Sequence, residues 1–186
     1  MRLTLLAVAV LALLIACSSH GAEATNPVTY DSFYLYAVSA DNWVRNDVRY
    51  NPSRLRAADG ISKADATKFT AITQNGPPSG TPLSTFSIIS LKSLVGAHPW
   101  CLPGTANPAL INGTIYCQND SQTSEWLYIY RKNDATIGAP LYPGDTVRFA
   151  ALGGGSCYAP PWPTNTASIY CANTGTDDWL DFHIEV

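Results

Sequence analysis

Short runs of alternating apolar and polar residues recur along this chain in a fixed order. Each copy contains an apolar residue, a small residue or cysteine, an Asp or Asn, and later an aromatic residue followed three positions on by an apolar one. The copies comprise residues 55–59 with 69–72, 114–119 with 126–129, and 168–173 with 179–182. Alternation at period two predicts short β-strands, and no stretch sustains a helical period. The repeat length, about 53 to 61 residues, is too long for a solenoid turn, and three copies are too few for a propeller.

Each copy is predicted to contain four strands, in repeats at about residues 28–80, 81–139 and 140–186. The first strands alternate Phe33, Leu35 and Ala37, then Phe86, Ile88 and Ser90, then Val147, Phe149 and Ala151. The later strands are predicted at 43–44, 55–58 and 69–73, at 100–102, 114–118 and 126–132, and at 157–158, 168–172 and 179–186. In the last strand, Leu180, Phe182, Ile184 and Val186 are predicted to form one inward row, with His183 on the outward row.

The N-terminal residues are typical of an export signal. Arg2 precedes an apolar run over residues 3–16, which is too short for a confident membrane span. Cleavage after the small residues at 22–24 would remove residues 1–24 and leave residues 25–186 as one secreted domain without a transmembrane span. The alternative is a lipoprotein signal over residues 1–16, with Cys17 lipidated and the protein anchored to an envelope.

The remaining four cysteines could pair in three ways in an exported chain. The repeat selects one pairing, because Cys117 and Cys171 occupy equivalent positions in the second and third copies. Each has a cysteine a similar distance upstream, which predicts the disulfides Cys101–Cys117 and Cys157–Cys171. A metal site is the rival interpretation, but no C-x-x-C pair or histidine cluster accompanies these cysteines.

The composition excludes some partners. Only 13% of residues are charged and the formal net charge is −3, so no basic footprint is available to neutralise a nucleic acid backbone. The 46% hydrophobic and 11% aromatic residues fall between turn-forming residues, which indicates a globular chain.

Three motifs carry a resemblance to a known superfamily: residues 144–149 (GDTVRF), 156–158 (SCY) and 178–185 (DWLDFHIE). Together with the threefold repeat, they are similar to the fascin-like and ricin-type lectin-like branches of the β-trefoil superfamily. The resemblance implies an all-β chain in which a six-stranded barrel is closed at one end by three hairpins with threefold pseudo-symmetry. The Gln-x-Trp triplet of ricin-type lectins is absent, because Ser124 and Asp177 precede Trp126 and Trp179 by two residues.

Aromatic residues are the main candidates for ligand binding. Trp43, Trp100, Tyr158 and Trp162 lie in or beside the second strands, and flat rings of this kind stack on sugar faces. The competing interpretation is that the rings fill the core or seal a barrel end.

The resemblance also implies that Asp59, Asn119 and Asn173, which recur after the third strands, contact a sugar; their alternative role is to form tight turns. Asn112 and Asn119 lie in glycosylation sequences, whereas residues 51–53 (NPS) are excluded by the proline.

We therefore expect a secreted, monomeric, non-catalytic module that binds a cell-surface, wall or matrix glycan. His98 and His183 belong to no catalytic or metal motif, and the acidic residues near 177–181 are typical of a turn. No catalytic residue, metal or cofactor is predicted. The alternatives are a protein-binding trefoil, such as a protease inhibitor or toxin component, and a structural wall or matrix protein.

Overall fold

A computed structural model describes most of the chain beyond the N-terminal segment. The described residues are 26–58, 60–73, 76, 78–103, 113–121, 127–152, 155–161, 168–172 and 179–186. The predicted signal segment therefore lies outside them. Among the described residues, no helix is long and apolar enough to cross a membrane.

The described chain is all-β apart from one short 3-10 helix at Lys63–Asp65. The strands are β1 (Tyr34–Ala37), β2 (Asn42–Trp43), β3 (Arg45–Asp47), β4 (Ser53–Arg56), β5 (Phe69–Ile72), β6 (Ser87–Ser93), β7 (Trp100–Pro103), β8 (Ile115–Asn119), β9 (Leu127–Arg131), β10 (Thr146–Ala151), β11 (Ser156–Tyr158), β12 (Tyr170–Ala172) and β13 (Phe182–Glu185). They correspond closely to the strands predicted from the repeat, although several are shorter.

Ten of these strands follow one another in a nearly closed, barrel-like antiparallel sheet. Their order is β2-β1-β13-β10-β9-β6-β7-β8-β4-β3, with β5 paired to β6 and β11 paired to β10 and β12. Phe33, which directly precedes β1, and Phe69, the first residue of β5, form a reciprocal bridge with backbone N–O distances of 2.9 and 2.8 Å. This bridge joins the two ends of the series β1-β13-β10-β9-β6-β5. A closed series of strands leaves few unpaired edges.

The hairpins β3–β4, β7–β8 and β11–β12 meet one another through backbone bridges. Residue Ser53 of β4 lies opposite Cys117 of β8. The Ile115 amide donates to the Ile169 carbonyl, and the Ile169 amide donates to the Leu55 carbonyl, each at 2.9 Å. These three apolar residues come from matching positions of the sequence repeat and are all buried.

The core lies inside the barrel and is formed by the inward residues of its strands. Leu35, Ile129, Phe149 and Phe182 are among the buried residues of one continuous cluster. Phe149 and Phe182 meet edge to face with ring centroids 5.6 Å apart, an arrangement that aromatic pairs favour.

The predicted inward row of the last strand is correct in part. Leu180, Phe182 and Ile184 are buried, whereas Val186 is 57% exposed because β13 ends at Glu185 and the C-terminal residue passes beyond the barrel. His183 is half-buried, and its ring stacks on Tyr36 with centroids 6.1 Å apart.

At β6 the apolar residues picked out from the sequence, Phe86 and Ile88, are not the buried ones, although Ser90 of the same row is buried. Phe86 and Ile88, expected to share a strand face with Ser90, are 38% and 40% exposed, while Ile89 and Leu91 are buried. Two alternating apolar rows overlap here, Phe86 with Ile88 and Ile89 with Leu91. In the structure, where β6 pairs with β9 and β5, the second row faces the core. A shift of one residue exchanges the two faces of a strand.

Both disulfides have the pairing that the repeat predicts, Cys101–Cys117 and Cys157–Cys171. In each hairpin the two cysteines lie directly opposite each other across the strand pair. All four sulfur atoms are therefore used in disulfides, and the rival metal interpretation of these cysteines is wrong. The β3–β4 hairpin contains no cysteine, and there Asp47 binds the facing strand through Arg56 at 3.0 Å.

Candidate functional site

Trp43 lies in β2 and forms part of an aromatic group on the barrel wall. Its ring meets Tyr36 and Tyr34 edge-on, at centroid distances of 5.3 and 6.3 Å. The Lys63 ammonium lies 5.3 Å from the Trp43 ring centroid, a cation–π distance, and Ile61 contributes to the small apolar cluster beneath the ring. The half-buried ring therefore packs against the protein on several sides.

The other described aromatic candidates have local partners of their own. Trp100 lies in β7, between β6 and β8, so it belongs to a paired strand, and the Lys92 ammonium is 5.5 Å from its ring. Tyr158 stacks on Tyr170 across β11–β12 at 5.6 Å and tilts against Trp179 at 6.0 Å. Within the described residues, no ring contact joins Trp100 or Tyr158 to the aromatic group around β2.

Most of the remaining predicted site residues lie outside the part of the chain that the structure describes. These are Asp59, Trp162, Asn173 and the glycosylation candidate Asn112. The backbone of Asn119 is described, and it pairs with Trp100 across β7–β8.

A cleft of about 500 Å3 opens between the β3–β4 hairpin and the loop that joins β6 to β7. We call it the hairpin cleft. Its lining is Val48, Tyr50, Asn51, Pro52, Ser53, Gly96, Ala97, His98, Cys117 and Gln118. Small-molecule sites usually occupy about 300–1,000 Å3 and combine apolar surface with a few polar groups, which is the character of this lining.

Tyr50 provides the aromatic surface of the hairpin cleft. The side chain is 38% exposed, and the Arg54 guanidinium carbon lies 3.6 Å from its ring centroid. Arg56 is farther away, at 5.1 Å. A hydrogen bond from Arg54 is the main cause that lowers the pKa of the Tyr50 hydroxyl, and the charge of Arg56 acts in the same direction. The two arginines hold the ring in position on the cleft wall.

Polar groups surround this aromatic surface. His98 Nδ1 and Asp120 Oδ1 are 2.6 Å apart at the rim, where both side chains are more than half exposed. The Ser53 hydroxyl donates to the Cys117 carbonyl at 2.6 Å, which fixes the hairpin to β8. Asn51 is exposed and Gln118 half-buried, so their amides can reach a ligand in the hairpin cleft.

A second, smaller concavity of about 230 Å3 lies beside the hairpin cleft, and Val48 lines both. We call it the arginine concavity, because Arg45 and Arg49 contribute to its lining together with the buried Asp47. Arg49 donates to Asp47 through Nε at 2.8 Å and through Nη2 at 2.7 Å. These hydrogen bonds, with help from Arg56 and against the effect of burial, hold the pKa of Asp47 far below its ordinary value. The carboxylate therefore stays ionised and orders the arginines around it.

Sequence reasoning did not identify Tyr50 or the arginines of the arginine concavity as site residues, and it considered His98 and Cys117 of the hairpin cleft only in other roles. From the sequence, residues 51–53 are recognised only as a glycosylation sequence that the proline excludes. Charge is considered there only for the chain as a whole. The available signal was local: four of the seven arginines lie within residues 45–56.

A family model described as "Domain of unknown function (DUF5888)" matches residues 3–181, nearly the whole chain. The chain belongs to the DUF5888 family. No curated protein matches it significantly.

Two solved structures show a similar fold to this DUF5888 chain. A crystal structure of the lysenin pore aligns with a TM-score of 0.56 at 13% identity, covering 87% of this chain and 48% of that one. The S. cerevisiae protein O-mannosyltransferase Pmt1-Pmt2 complex bound to the sugar donor aligns with a TM-score of 0.59 at 13% identity, covering 90% of this chain and 27% of that one. The chain thus spans less than half of either matched protein, and at this identity the likeness concerns the fold alone.

Proposed function

We propose that this DUF5888 chain is an exported, non-catalytic carbohydrate-binding module with a β-trefoil fold, and that the hairpin cleft is its sugar site. The hairpin cleft carries the proposal. It joins an exposed aromatic ring, several amide and hydroxyl groups, and a volume suited to a small ligand in one place.

The trefoil assignment is supported by strand pairing and by the sequence repeat together. Six strands form a series whose ends meet at the Phe33–Phe69 bridge. The hairpins β3–β4, β7–β8 and β11–β12 come from the three sequence copies and bridge one another at Leu55, Ile115 and Ile169. A barrel of six strands with a cap of three hairpins is the arrangement that the superfamily resemblance implies.

Sugar binding suits the chemistry of the hairpin cleft better than binding of a purely apolar ligand. The C–H face of a pyranose stacks on an aromatic ring, while its hydroxyl groups need donors and acceptors around that ring. Tyr50 provides the ring, and Asn51, His98 and Gln118 provide polar groups in the lining around it. The ring is held by Arg54, so little conformational freedom would be lost on binding.

The polar contacts favour binding over catalysis. Ser53 directs its hydroxyl proton to the Cys117 carbonyl, so it is not oriented by His98 as a nucleophile would be. Asp181, the described member of the acidic group near the last hairpin, binds Arg148 at 2.7 Å and also Lys132. Burial alone would raise the pKa of Asp181, but these two cations hold it below its ordinary value. Asp181 therefore acts as a structural counter-ion.

Export is supported by the two disulfides, which persist in oxidising compartments, and by the N-terminal apolar run. In this location the partners are glycans of a cell surface, wall or matrix. Release after residue 24 is the preferred processing, and lipidation of Cys17 is the alternative.

A glycan array with the exported protein tests the proposal. We expect saturable binding to at least one glycan class, and a loss of roughly tenfold or more in affinity on Tyr50→Ala, because the stacking surface is removed. Tyr142→Ala is the matched control, since Tyr142 is also 38% exposed but does not line the hairpin cleft.

Circular dichroism and thermal melting must show that both variants fold. No binding to any glycan, or equal losses for the two variants, would refute the proposed sugar site. Inhibition of a protease by the same preparation, without glycan binding, would support the protein-binding alternative instead.

A further inference from the structure

The charge of this chain is unevenly distributed. Residues 45–56 contain four arginines and a single acidic residue, Asp47, which gives the β3–β4 hairpin a formal charge of +3 in a chain whose net charge is −3. The positive charge is therefore concentrated on the hairpin that forms one wall of the hairpin cleft. Such a local field attracts anionic groups even when the protein as a whole is acidic.

Asp47 is the one acidic residue that faces these cations from within residues 45–56. Its carboxylate, 2% exposed, is bound by Arg49 at 2.7 Å and Arg56 at 3.0 Å, and Arg45 is 3.6 Å away. One negative charge thus serves three guanidinium groups. The Arg49 side chain is 68% exposed, so its outward N–H groups remain accessible to a ligand.

Arg54 lies against the aromatic wall of the hairpin cleft, although it is not part of the lining of either concavity. Its guanidinium lies 3.6 Å from the ring centroid of Tyr50, the aromatic wall of the cleft. In the part of the chain that the structure describes, no carboxylate forms an ion pair with Arg54, and its Nε is buried without a hydrogen-bond partner. This half-buried guanidinium therefore adds to the positive field around Tyr50, because burial weakens the screening of its charge by water.

The two concavities give an extended acidic ligand continuous contact. Val48 borders both of them, so a chain of sugars seated on Tyr50 passes directly to the surface of Arg45 and Arg49. The exposed Asp65 at the rim of the arginine concavity is hydrogen bonded by Ser62 and opposes anions at that edge only.

We infer that the ligand of the hairpin cleft is an acidic glycan, whose carboxylate or sulfate group pairs with the arginines of the β3–β4 hairpin, above all the exposed Arg49 of the arginine concavity. This inference rests on the proposed sugar-binding function and specifies its ligand class. Planar guanidinium groups bind carboxylate and sulfate oxygens through paired hydrogen bonds.

The test compares each acidic sugar with its own neutralised form. Oligogalacturonate of four residues is measured against its methyl ester, and a sulfated galactan tetrasaccharide against its desulfated form, by calorimetry at low salt. We expect at least one acidic member to bind roughly tenfold or more tightly than its neutral partner, with a preference that falls at high salt. The pair that shows the preference identifies carboxylate or sulfate as the recognised group.

Arg49→Gln should reduce the acidic-to-neutral affinity ratio toward one, and Arg49→Lys should keep part of it because the charge is retained. Lys68→Gln, which removes one positive charge outside the lining of both concavities, should leave the ratio unchanged. The ratio is informative because a purely structural effect of Arg49 would weaken acidic and neutral ligands alike.

Equal affinities for the acidic and neutral members of both pairs would overturn the inference. So would a ratio that Arg49→Gln leaves unchanged, or an array on which only neutral glycans bind. These results leave sugar binding itself intact, whereas the absence of binding to any glycan refutes the proposed function and this inference together.

Discussion

Replacing Asp47 with asparagine tests whether this buried carboxylate holds the β3–β4 hairpin together. The side chain is 2% exposed and binds Arg49 at the tip of the hairpin and Arg56 on the facing strand, β4. The first hairpin has no disulfide, so this ion cluster occupies the structural role that the disulfides have in the other two. An asparagine at this position would keep the size of the side chain and one acceptor but remove the charge.

The expected cost depends mainly on Arg56, whose side chain is only 10% exposed and would lose its ion pair with Asp47. Removing one partner of a buried ion pair costs about 3–5 kcal/mol, and we take the lower end because asparagine still accepts a hydrogen bond. We therefore expect Asp47→Asn to lower the free energy of unfolding by about 3 kcal/mol, or the melting temperature by about 6–12 °C for a domain of this size.

The effect should depend on pH in a defined direction. The folded-state pKa of Asp47 lies far below its ordinary value of 3.8. A depressed carboxyl pKa contributes stability that is fully present above the unfolded-state pKa and is lost as the pH falls toward the folded-state pKa. The difference in stability between wild type and Asp47→Asn should therefore be constant above about pH 5 and should shrink below about pH 4.

Urea denaturation of the wild type and of Asp47→Asn at pH 7 and at pH 3 measures the loss of stability and its dependence on pH. Arg49→Gln is the control, because the 68% exposed Arg49 side chain is screened by solvent and should contribute far less. A loss for Asp47→Asn of under about 1 kcal/mol, the range of an exposed pair, would refute this account of the hairpin. An equal loss at the two pH values would refute the pKa argument.

Two further predictions concern the hairpins. Replacing Cys101 and Cys117 together with serine should lower the free energy of unfolding by about 3 kcal/mol, because the disulfide closes a loop with a sequence separation of 16. Guanidinium denaturation measures this loss, and a much smaller change would contradict a stabilising role for the disulfide. Gly155→Ala should lower the melting temperature of the protein more than Gly138→Ala does. Both glycines have a positive φ, but a Cβ at Gly155 would lie 2.2 Å from the Ala172 backbone, whereas one at Gly138 meets nothing within 4 Å. Equal effects of the two substitutions in thermal melts would contradict the packing described.

The sequence repeat predicted the parts of the fold in which each copy repeats the same local chemistry. The disulfide pairing is correct because Cys117 and Cys171 occupy equivalent positions, and equivalent strands face equivalent partners. The register of β6 could not be predicted in this way. Phe86 and Ile88 alternate as regularly as Ile89 and Leu91, and only pairing with neighbouring strands decides which row is buried.

The hairpin cleft was not predictable from the aromatic residues that the repeat singles out. Trp43, Trp100 and Tyr158 occupy repeated positions and pack against their own neighbours. Tyr50 lies at the tip of one hairpin, outside the repeated pattern, and becomes part of a concave surface only when the loop around His98 packs beside it. Surfaces formed by two loops depend on tertiary structure, which local patterns do not encode.

The most direct test of the account is an NMR titration of the isotope-labelled protein with oligogalacturonate and, separately, with the sulfated galactan tetrasaccharide. The account predicts that the backbone amide shifts caused by the bound sugar concentrate at residues 45–54, 96–98 and 117–118, which surround the two concavities. Shifts concentrated around Trp43 or Tyr158, or no shifts with either sugar, would contradict it.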